Sequence, residues 1–146
     1  MSNNKSCDAL TVEELPLIFS DTTPIPQIDG PVCRIDYKPD FRTAHDYMRA
    51  VFQSQEKSER TLRLTALCLQ QNPANYTVWH YRRMILFEIG MDLEADLAFA
   101  EQLGGANPKN YQLWYHRRAV LEREVLSDVH HNIVKKELQY VGSILQ

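Results

Sequence analysis

Two residues in the last third of the chain, Lys109 and Gln112, have types and spacing that could bind an anion. Lys109 stands just before Asn110, a residue type that commonly caps the N-terminus of a helix. Unpaired backbone N–H groups and the positive end of the helix macrodipole attract anions there, and an ammonium group strengthens the attraction. The pattern is compatible with a phosphate site, but spacing alone favours a solvated loop lysine, so these residues do not decide between the two interpretations. Gln112, in the first turn, could offer its amide to a carboxylate.

Both residues belong to a block of sequence that occurs twice. Residues 72–86 read Asn-Pro-Ala-Asn-Tyr-Thr-Val-Trp-His-Tyr-Arg-Arg-Met-Ile-Leu. Residues 107–121 read Asn-Pro-Lys-Asn-Tyr-Gln-Leu-Trp-Tyr-His-Arg-Arg-Ala-Val-Leu, with eight of the fifteen positions identical. A repeat with a period of about 35 residues is typical of helical hairpins stacked into a solenoid. The sequence therefore predicts an all-α protein that forms a right-handed α-α superhelix.

Most of the identical residues are interpreted as structural. In each copy Tyr, Trp, Arg and Leu recur at i, i+3, i+7 and i+10, which places them on one face of a helix. They are Tyr76, Trp79, Arg83 and Leu86 in the first copy and Tyr111, Trp114, Arg118 and Leu121 in the second. The recurrence predicts that both Trp-Arg pairs lie at interfaces between repeats, with each guanidinium stacked on the indole one turn away. The positions that differ between the copies, above all Lys109 and Gln112, are where we expect function.

Prolines and helical patterns divide the chain into two parts. Five of the seven prolines fall in the first forty residues, so residues 1–40 are predicted to form an extended or partly disordered arm. Residues 41–146 are predicted to form a helical-hairpin repeat domain, with motif helices near 75–89 and 110–124. The predicted boundary residues are the N-caps Ser58, Asn75, Asp92 and Asn110 and the C-terminal Gly90. The last helix is predicted to carry an apolar stripe formed by Val134, Leu138, Val141 and Leu145.

Composition excludes several classes of function. A net charge of −3 with 24% charged residues of both signs gives no field that would attract nucleic acid or an anionic membrane. The sequence has no run of 18 apolar residues and no secretion signal, so neither membrane insertion nor secretion is expected. Three widely spaced cysteines, and histidines without metal-ligand spacing, predict a reduced cytoplasmic protein that binds no metal by itself. The adjacent His130 and His131 are interpreted as surface residues. The absence of nucleotide-binding and nucleophile motifs argues against a self-contained enzyme.

The two copies of the motif resemble a known family. Asn-Tyr-Thr-Val-Trp-His-Tyr-Arg-Arg in the first copy and Pro-Lys-Asn-Tyr-Gln-Leu-Trp-Tyr-His-Arg-Arg in the second are similar to the repeats of protein prenyltransferase α subunits. They are most similar to the α subunits that serve protein farnesyltransferase and type I protein geranylgeranyltransferase. Residues 24–31 and 41–50 also look like the segments that precede the repeats in that family. The resemblance runs from about residue 17 to residue 146.

The resemblance implies a heterodimeric transferase. Its α subunit wraps a β subunit, and the enzyme moves a farnesyl or geranylgeranyl group from its diphosphate to the cysteine of a C-terminal Cys-a-a-X peptide. Lys109 corresponds to the family lysine that reaches the diphosphate, and Gln112 to the glutamine that holds the peptide carboxylate. Tyr76 and Tyr111 correspond to tyrosines near the donor and peptide sites. Zinc and magnesium are implied in the holoenzyme, with the zinc ligands on the β subunit, and the choice between farnesyl and geranylgeranyl is left open.

Two further expectations follow from the repeats. A third copy of the motif would begin just after residue 146, so we expect this chain to be a truncated form that is inactive alone or with a β subunit, or a decoy that binds β without activity. The alternative from another class is a tetratricopeptide-like scaffold that binds a protein partner. That scaffold requires Trp-x-x-Leu-Gly-x-x-Tyr in its first helix, whereas Trp79 and Trp114 are each followed by Arg-Arg at i+3 and i+4. The motif therefore favours the transferase.

Overall fold

The computed structural model describes residues 8–32, 35–105, 107–125 and 131–146. Every regular element in these ranges is helical, and a short 3-10 helix at Val12–Glu14 precedes the α-helices. The α-helices are α1 (Leu15–Ile18), α2 (Pro39–Ser54), α3 (Glu59–Gln71), α4 (Tyr76–Ile89), α5 (Leu93–Gly104), α6 (Tyr111–Val125) and α7 (His131–Leu145). The all-α prediction is confirmed. His130 and the side chain of His131 lie outside the described residues, so their assignment to the surface stays a prediction.

The motif helices α4 and α6 begin at the residues that the sequence predicts. The side chain of Asn75 accepts a hydrogen bond from the backbone N–H of Val78 at 3.3 Å. The side chain of Asn110 accepts from the N–H groups of Gln112 and Leu113 at 3.1 and 3.4 Å. Each cap satisfies donors that the first turn of a helix leaves unpaired. The predicted caps Ser58 and Asp92 act in the same way on α3 and α5.

Helix α4 ends at Gly90, whose backbone adopts the left-handed conformation with φ of +69°. A Cβ added there would meet nothing within 4 Å, so a substitution would strain only the backbone. We expect Gly90→Ala to lower the free energy of unfolding by about 1 to 2 kcal/mol, measured by urea denaturation. Gly142 is the matched control, because it lies inside α7 and also has open space at its Cβ position. Gly142→Ala should stabilise by about 0.5 to 1 kcal/mol, and an equal response at both glycines would contradict this account of the turn.

The residues up to Asn72 form one compact unit, in which α2 packs on α3. Leu10, Leu15 and Phe19 are buried in it, and the Arg60 guanidinium lies over the Phe19 ring at 4.7 Å. The prediction of an extended or partly disordered arm for residues 1–40 rests on proline frequency, which does not report these apolar contacts. Residues 1–7 lie outside the described part of the chain. The division into an arm of residues 1–40 and a repeat domain stays a prediction.

The residues from Pro73 onward form a second compact unit, in which α6 packs against both α4 and α5. The buried face of α6 is formed by Leu113, His116, Arg117 and Val120. The motif stripe on α6 therefore lies at the surface of this unit, with Trp114 half-buried and Tyr111 exposed. On α4 the same stripe is buried at Trp79, Arg83 and Leu86. The two copies thus have the same sequence pattern but different burial.

Helix α7 buries a face adjacent to the apolar stripe that the sequence predicts. Ile133 and Tyr140 are buried, whereas Val134, Leu138 and Leu145 are exposed. Between the two buried residues, Glu137 pairs with Arg117 of α6. This ion pair and the Tyr140 ring fix the rotation of α7, so the more continuous apolar stripe remains outside the contact with α6.

Candidate functional site

The N-terminal ends of α4 and α6 meet at one backbone carbonyl, that of Pro73. The indole N–H of Trp79 donates to the Pro73 oxygen at 2.7 Å. The side-chain amide of Asn110 donates to the same oxygen, also at 2.7 Å. Because Asn110 directly follows Lys109, this shared acceptor places the start of the second motif beside the start of the first.

The predicted site residues lie at this shared end. Tyr76 and Tyr111 are the first residues of α4 and α6, with 68% and 85% of their surface exposed. Lys109 lies in the exposed turn before the Asn110 cap and makes no hydrogen bond or ion pair with the described residues. Gln112 is half-buried in the first turn of α6. The structure thus brings an exposed ammonium group and two exposed phenol rings to one end of the helix pair, and their binding roles stay predictions.

A buried charged network holds this pair of helices together below the exposed end. The Arg82 Nε of α4 donates to Asp96 Oδ1 of α5 at 2.7 Å. His116 of α6 lies with its Nε2 atom 2.5 Å from Asp96 Oδ2. Its other ring nitrogen, Nδ1, lies 3.2 Å from the Arg83 guanidinium of α4. Asp96 therefore ties all three helices, and its side chain and those of Arg82 and His116 have no exposed surface.

The partners of His116 fix its protonation state. A guanidinium can only donate, so the Nδ1 atom of His116 accepts from Arg83, and Nε2–H donates to Asp96. Burial lowers the pKa of His116 below its usual 6.5, and the opposing pull of Asp96 does not restore it. Burial alone would raise the pKa of Asp96, but the positive charge of Arg82 and the hydrogen bonds from Arg82 and His116 outweigh it and hold that pKa well below 3.8. The histidine is neutral and the aspartate ionised at pH 7.

This arrangement predicts a loss of stability as the pH falls below 7. Near and below pH 6.5 the unfolded chain binds a proton at His116 that the folded chain resists, so the free energy of unfolding decreases as the solution is acidified. We expect a loss of about 1 kcal/mol between pH 7.5 and 5.5, measured by urea denaturation at each pH.

Two variants separate the contribution of this histidine from that of His45, whose pKa is also lowered by burial. In His116→Gln the amide can still donate to Asp96 but does not titrate. The free energy of unfolding should therefore depend less steeply on pH. In His45→Gln the contribution of His116 remains. If His116→Gln kept the full slope of the parent, the tautomer assigned here would be wrong.

Comparison with known proteins identifies the motif. The family described as "Protein prenyltransferase alpha subunit repeat" matches residues 58–89 and residues 93–124. The first match covers α3 and α4, and the second covers α5 and α6. The chain contains two segments that match the protein prenyltransferase alpha-subunit repeat. The resemblance read from the motifs is therefore confirmed.

Relatives that are similar to this chain in sequence carry the same name, that of an α subunit. The chain is 46% identical over 89 residues to "Protein farnesyltransferase/geranylgeranyltransferase type-1 subunit alpha" of Solanum lycopersicum, a match that covers 60% of the chain and 26% of that protein. It is 47% identical over 89 residues to the protein of the same name from Arabidopsis thaliana, covering 60% of the chain and 27% of the relative. These matches span about a quarter of the length of the curated relatives.

A solved structure shares the fold. The structure described as "Candida albicans protein geranylgeranyltransferase-I complexed with GGPP" superposes with a TM-score of 0.76 at 27% sequence identity. The superposition covers 86% of this chain and 43% of that one. Together with the family match, it confirms the helical-repeat fold class predicted from the sequence.

In these prenyltransferase repeats the recurring Trp-Arg pair does not stack as the sequence predicts. The Arg83 guanidinium lies over the ring of Tyr115, 5.0 Å from its centroid, and the Trp79 ring lies 4.5 Å from that of His116. The arginine of the second copy, Arg118, instead pairs with Glu122 at the surface. Tyr115 and His116, the residues whose rings contact Arg83 and Trp79, both belong to α6. Packing of α6 on α4 therefore replaces the Trp-Arg contact that was expected within α4.

Sequence reasoning missed Asp96 and His116, although each left a signal. Asp96 interrupts the buried stripe of α5 between Leu93 and Leu97, where a charged side chain requires a partner. His116 stands where the first copy has Tyr81, and that difference was visible between the two motifs. The buried partners of both residues lie on other helices, so the sequence could not supply them.

The described residues contain no group of three or more His, Cys, Asp or Glu side chains that could hold a metal ion. The residues of this chain that the structure describes therefore do not fit the zinc or magnesium that the family resemblance implies. In the same ranges no helix has the length and apolar character needed to cross a membrane.

Proposed function

We propose that this chain is part of the α subunit of a cytoplasmic heterodimeric protein prenyltransferase. In that enzyme a β subunit would bind along the repeats, and a farnesyl or geranylgeranyl group would pass from its diphosphate to the cysteine of a C-terminal Cys-a-a-X peptide. One observation carries the proposal: the exposed Lys109 and Tyr111 lie at the end where α4 and α6 share the Pro73 carbonyl. The names of the relatives support the same assignment.

Lys109 is proposed to bind the diphosphate of the prenyl donor. Its ammonium group is exposed and lies at the N-terminal end of α6, where the positive end of the helix macrodipole favours anions. Negative charge grows on the leaving diphosphate as the bond from the prenyl C1 atom to oxygen breaks. A cation placed beside that group stabilises the transition state more than the bound substrate.

Gln112 is proposed to hold the terminal carboxylate of the peptide through its side-chain amide. The backbone N–H of Gln112 already bonds the Asn110 cap, which fixes the start of its side chain. Tyr76 and Tyr111 are proposed to contact the donor and the peptide with their exposed rings. Any zinc or magnesium is assigned to the β subunit and the substrate, and no step is assigned to a metal on this chain.

The proposal is tested by co-expressing the full 146-residue chain with a protein prenyltransferase β subunit and purifying through a tag on β. The proposal predicts that the two chains purify together. Transfer to a Cys-a-a-X peptide is then measured with farnesyl and geranylgeranyl diphosphate in parallel. The contrary result is a chain that does not purify with the β subunit but binds a protein partner of the kind that tetratricopeptide scaffolds bind. In that case the scaffold alternative would replace this proposal.

A further inference from the structure

The backbone that carries Lys109 is held by hydrogen bonds on both sides. On one side the indole N–H of Trp114 donates to the Pro108 oxygen at 2.7 Å. On the other side the backbone N–H of Asn110 donates to the Asn107 oxygen at 3.2 Å, which closes the turn. The backbone of the lysine is therefore fixed, although its side chain is exposed.

The side chain of Asn110 ties this turn to the start of the first motif. Its amide donates to the Pro73 oxygen at 2.7 Å, and only 8% of the surface of Asn110 is exposed. The indole N–H of Trp79 donates to the same oxygen at 2.7 Å, and Trp79 itself has no exposed surface. A carbonyl oxygen has two lone pairs, so these two donors complete its hydrogen bonding. Asn110 is therefore bonded to an acceptor that a fully buried ring holds in place.

The same asparagine occupies backbone donors at the start of α6. Its side-chain oxygen accepts from the N–H groups of Gln112 and Leu113, at 3.1 and 3.4 Å. These two N–H groups are therefore not available to bind an anion. Attraction of an anion to this end of α6 depends chiefly on the Lys109 ammonium group, whose long and flexible side chain must be ordered when the anion binds.

We propose that Asn110 is a positioning residue for the prenyl transfer reaction and that it acts through Lys109. Its bond to the Pro73 oxygen sets the position of the Lys109 backbone, and so the place that the ammonium group occupies beside the leaving diphosphate. A displacement of about 1 Å at a reacting centre can slow a reaction by about 100-fold. This role rests on the proposed function, because it requires Lys109 to act on the diphosphate, and it gives Asn110 itself no contact with substrate.

The variant Asn110→Ser separates positioning from capping. Serine caps a helix about as well as asparagine and adds no charge beside Lys109. Its hydroxyl is shorter than the amide and cannot cap α6 while also reaching the Pro73 oxygen. Asn75→Ser is the matched control, because Asn75 caps α4 in the same way but follows Ala74 instead of a lysine.

The kinetic test uses a protein prenyltransferase heterodimer whose α subunit is a longer relative into which these two repeats have been placed. Asn110→Ser should lower kcat by about tenfold and leave the peptide KM nearly unchanged. Asn75→Ser should leave both constants near those of the parent. Adding Asn110→Ser to Lys109→Ala should cause no further loss, because a residue that acts through the lysine has no effect once the lysine is gone.

Hydrogen exchange in the full 146-residue chain gives a second readout that needs no transfer reaction. Asn110→Ser should raise the early deuterium uptake of the peptide that spans residues 107–113 several-fold, because the turn loses its bond to the Pro73 oxygen. Asn75→Ser should leave the uptake of that peptide unchanged.

Three outcomes would overturn the positioning role and leave the proposed function intact. In the first, Lys109→Ala slows transfer but Asn110→Ser keeps the rate of the parent. In the second, Asn110→Ser slows the Lys109→Ala variant as much as it slows the parent, which indicates an effect that does not pass through the lysine. In the third, Asn110→Ser leaves the deuterium uptake of residues 107–113 unchanged. If Lys109→Ala itself kept the rate of the parent, the role proposed for the lysine would fail, and that of Asn110 with it.

Discussion

Replacing Asp96 with alanine is expected to lower the free energy of unfolding by about 3 to 5 kcal/mol. Asp96 has no exposed surface, and its two carboxylate oxygens face Arg82 and His116. Without the carboxylate, the buried Arg82 guanidinium would lose the anion that compensates its charge, and the Nε2–H of His116 would lose its acceptor. Urea denaturation at pH 7.5 measures the loss.

Asp92→Ala is the matched control for this variant. Asp92 belongs to the same helix but is exposed and caps its N-terminus by accepting from the N–H groups of Glu94 and Ala95. Its removal should cost about 1 kcal/mol, the usual contribution of a cap. If Asp96→Ala and Asp92→Ala lowered the free energy of unfolding equally, Asp96 would contribute no more than an exposed carboxylate. The network assigned to it would then be wrong.

Replacing Lys109 with alanine is expected to slow prenyl transfer by about 100-fold, the usual loss when a group that stabilises developing charge is removed. The reason is that Lys109 is proposed to act on the diphosphate as the C1–oxygen bond breaks. The effect should appear in kcat, with little change in the peptide KM. The rate of transfer is measured in a heterodimer. Its α subunit is a longer relative of this chain into which these two repeats have been placed.

Gln112→Ala provides the comparison in the same heterodimer. It should raise the peptide KM by about tenfold and leave kcat nearly unchanged, because its proposed contact is with the peptide carboxylate in both the bound and the transition state. Equal losses of kcat and peptide binding in Lys109→Ala would indicate that this lysine only positions α6. An unchanged KM in Gln112→Ala would remove the role proposed for the glutamine.

The parts of the fold that depend on local chemistry were predictable from the sequence. Asn75 and Asn110 cap their helices, and Gly90 ends α4 with a positive φ, because each effect involves only neighbouring residues in the chain. The burial of Trp79 also followed from the repeat, since an interface that recurs must use the same large apolar side chain.

The parts that depend on contacts between helices were not predictable. Arg83 was expected on the Trp79 indole but lies over Tyr115, because α6 brings a ring into the space that the indole was expected to fill. The buried face of α7 follows Ile133 and Tyr140 rather than the adjacent apolar stripe, because the pairing of Glu137 with Arg117 fixes its rotation. A single sequence carries no direct signal for either contact.

The site was predictable to a different extent. The difference between the two copies at Lys109 pointed to one end of α6, and the structure explains how that end meets α4 through the Pro73 carbonyl. Pro73 itself gave no signal as an acceptor, because its role depends on a backbone oxygen and on an amide from 37 residues later in the chain. The roles of Tyr76, Tyr111 and Gln112 remain predictions that the kinetic variants address.

The most direct test of the proposed function is to locate the lysine that contacts the donor diphosphate. An acyl-phosphate analogue of the prenyl diphosphate, which transfers its acyl group to a lysine amine in contact with it, is added to the heterodimer containing these repeats. Mass spectrometry of the digested α subunit then identifies the labelled residue. The account predicts acylation of Lys109 that excess prenyl diphosphate prevents. An unlabelled Lys109 in a heterodimer that binds the analogue would contradict it.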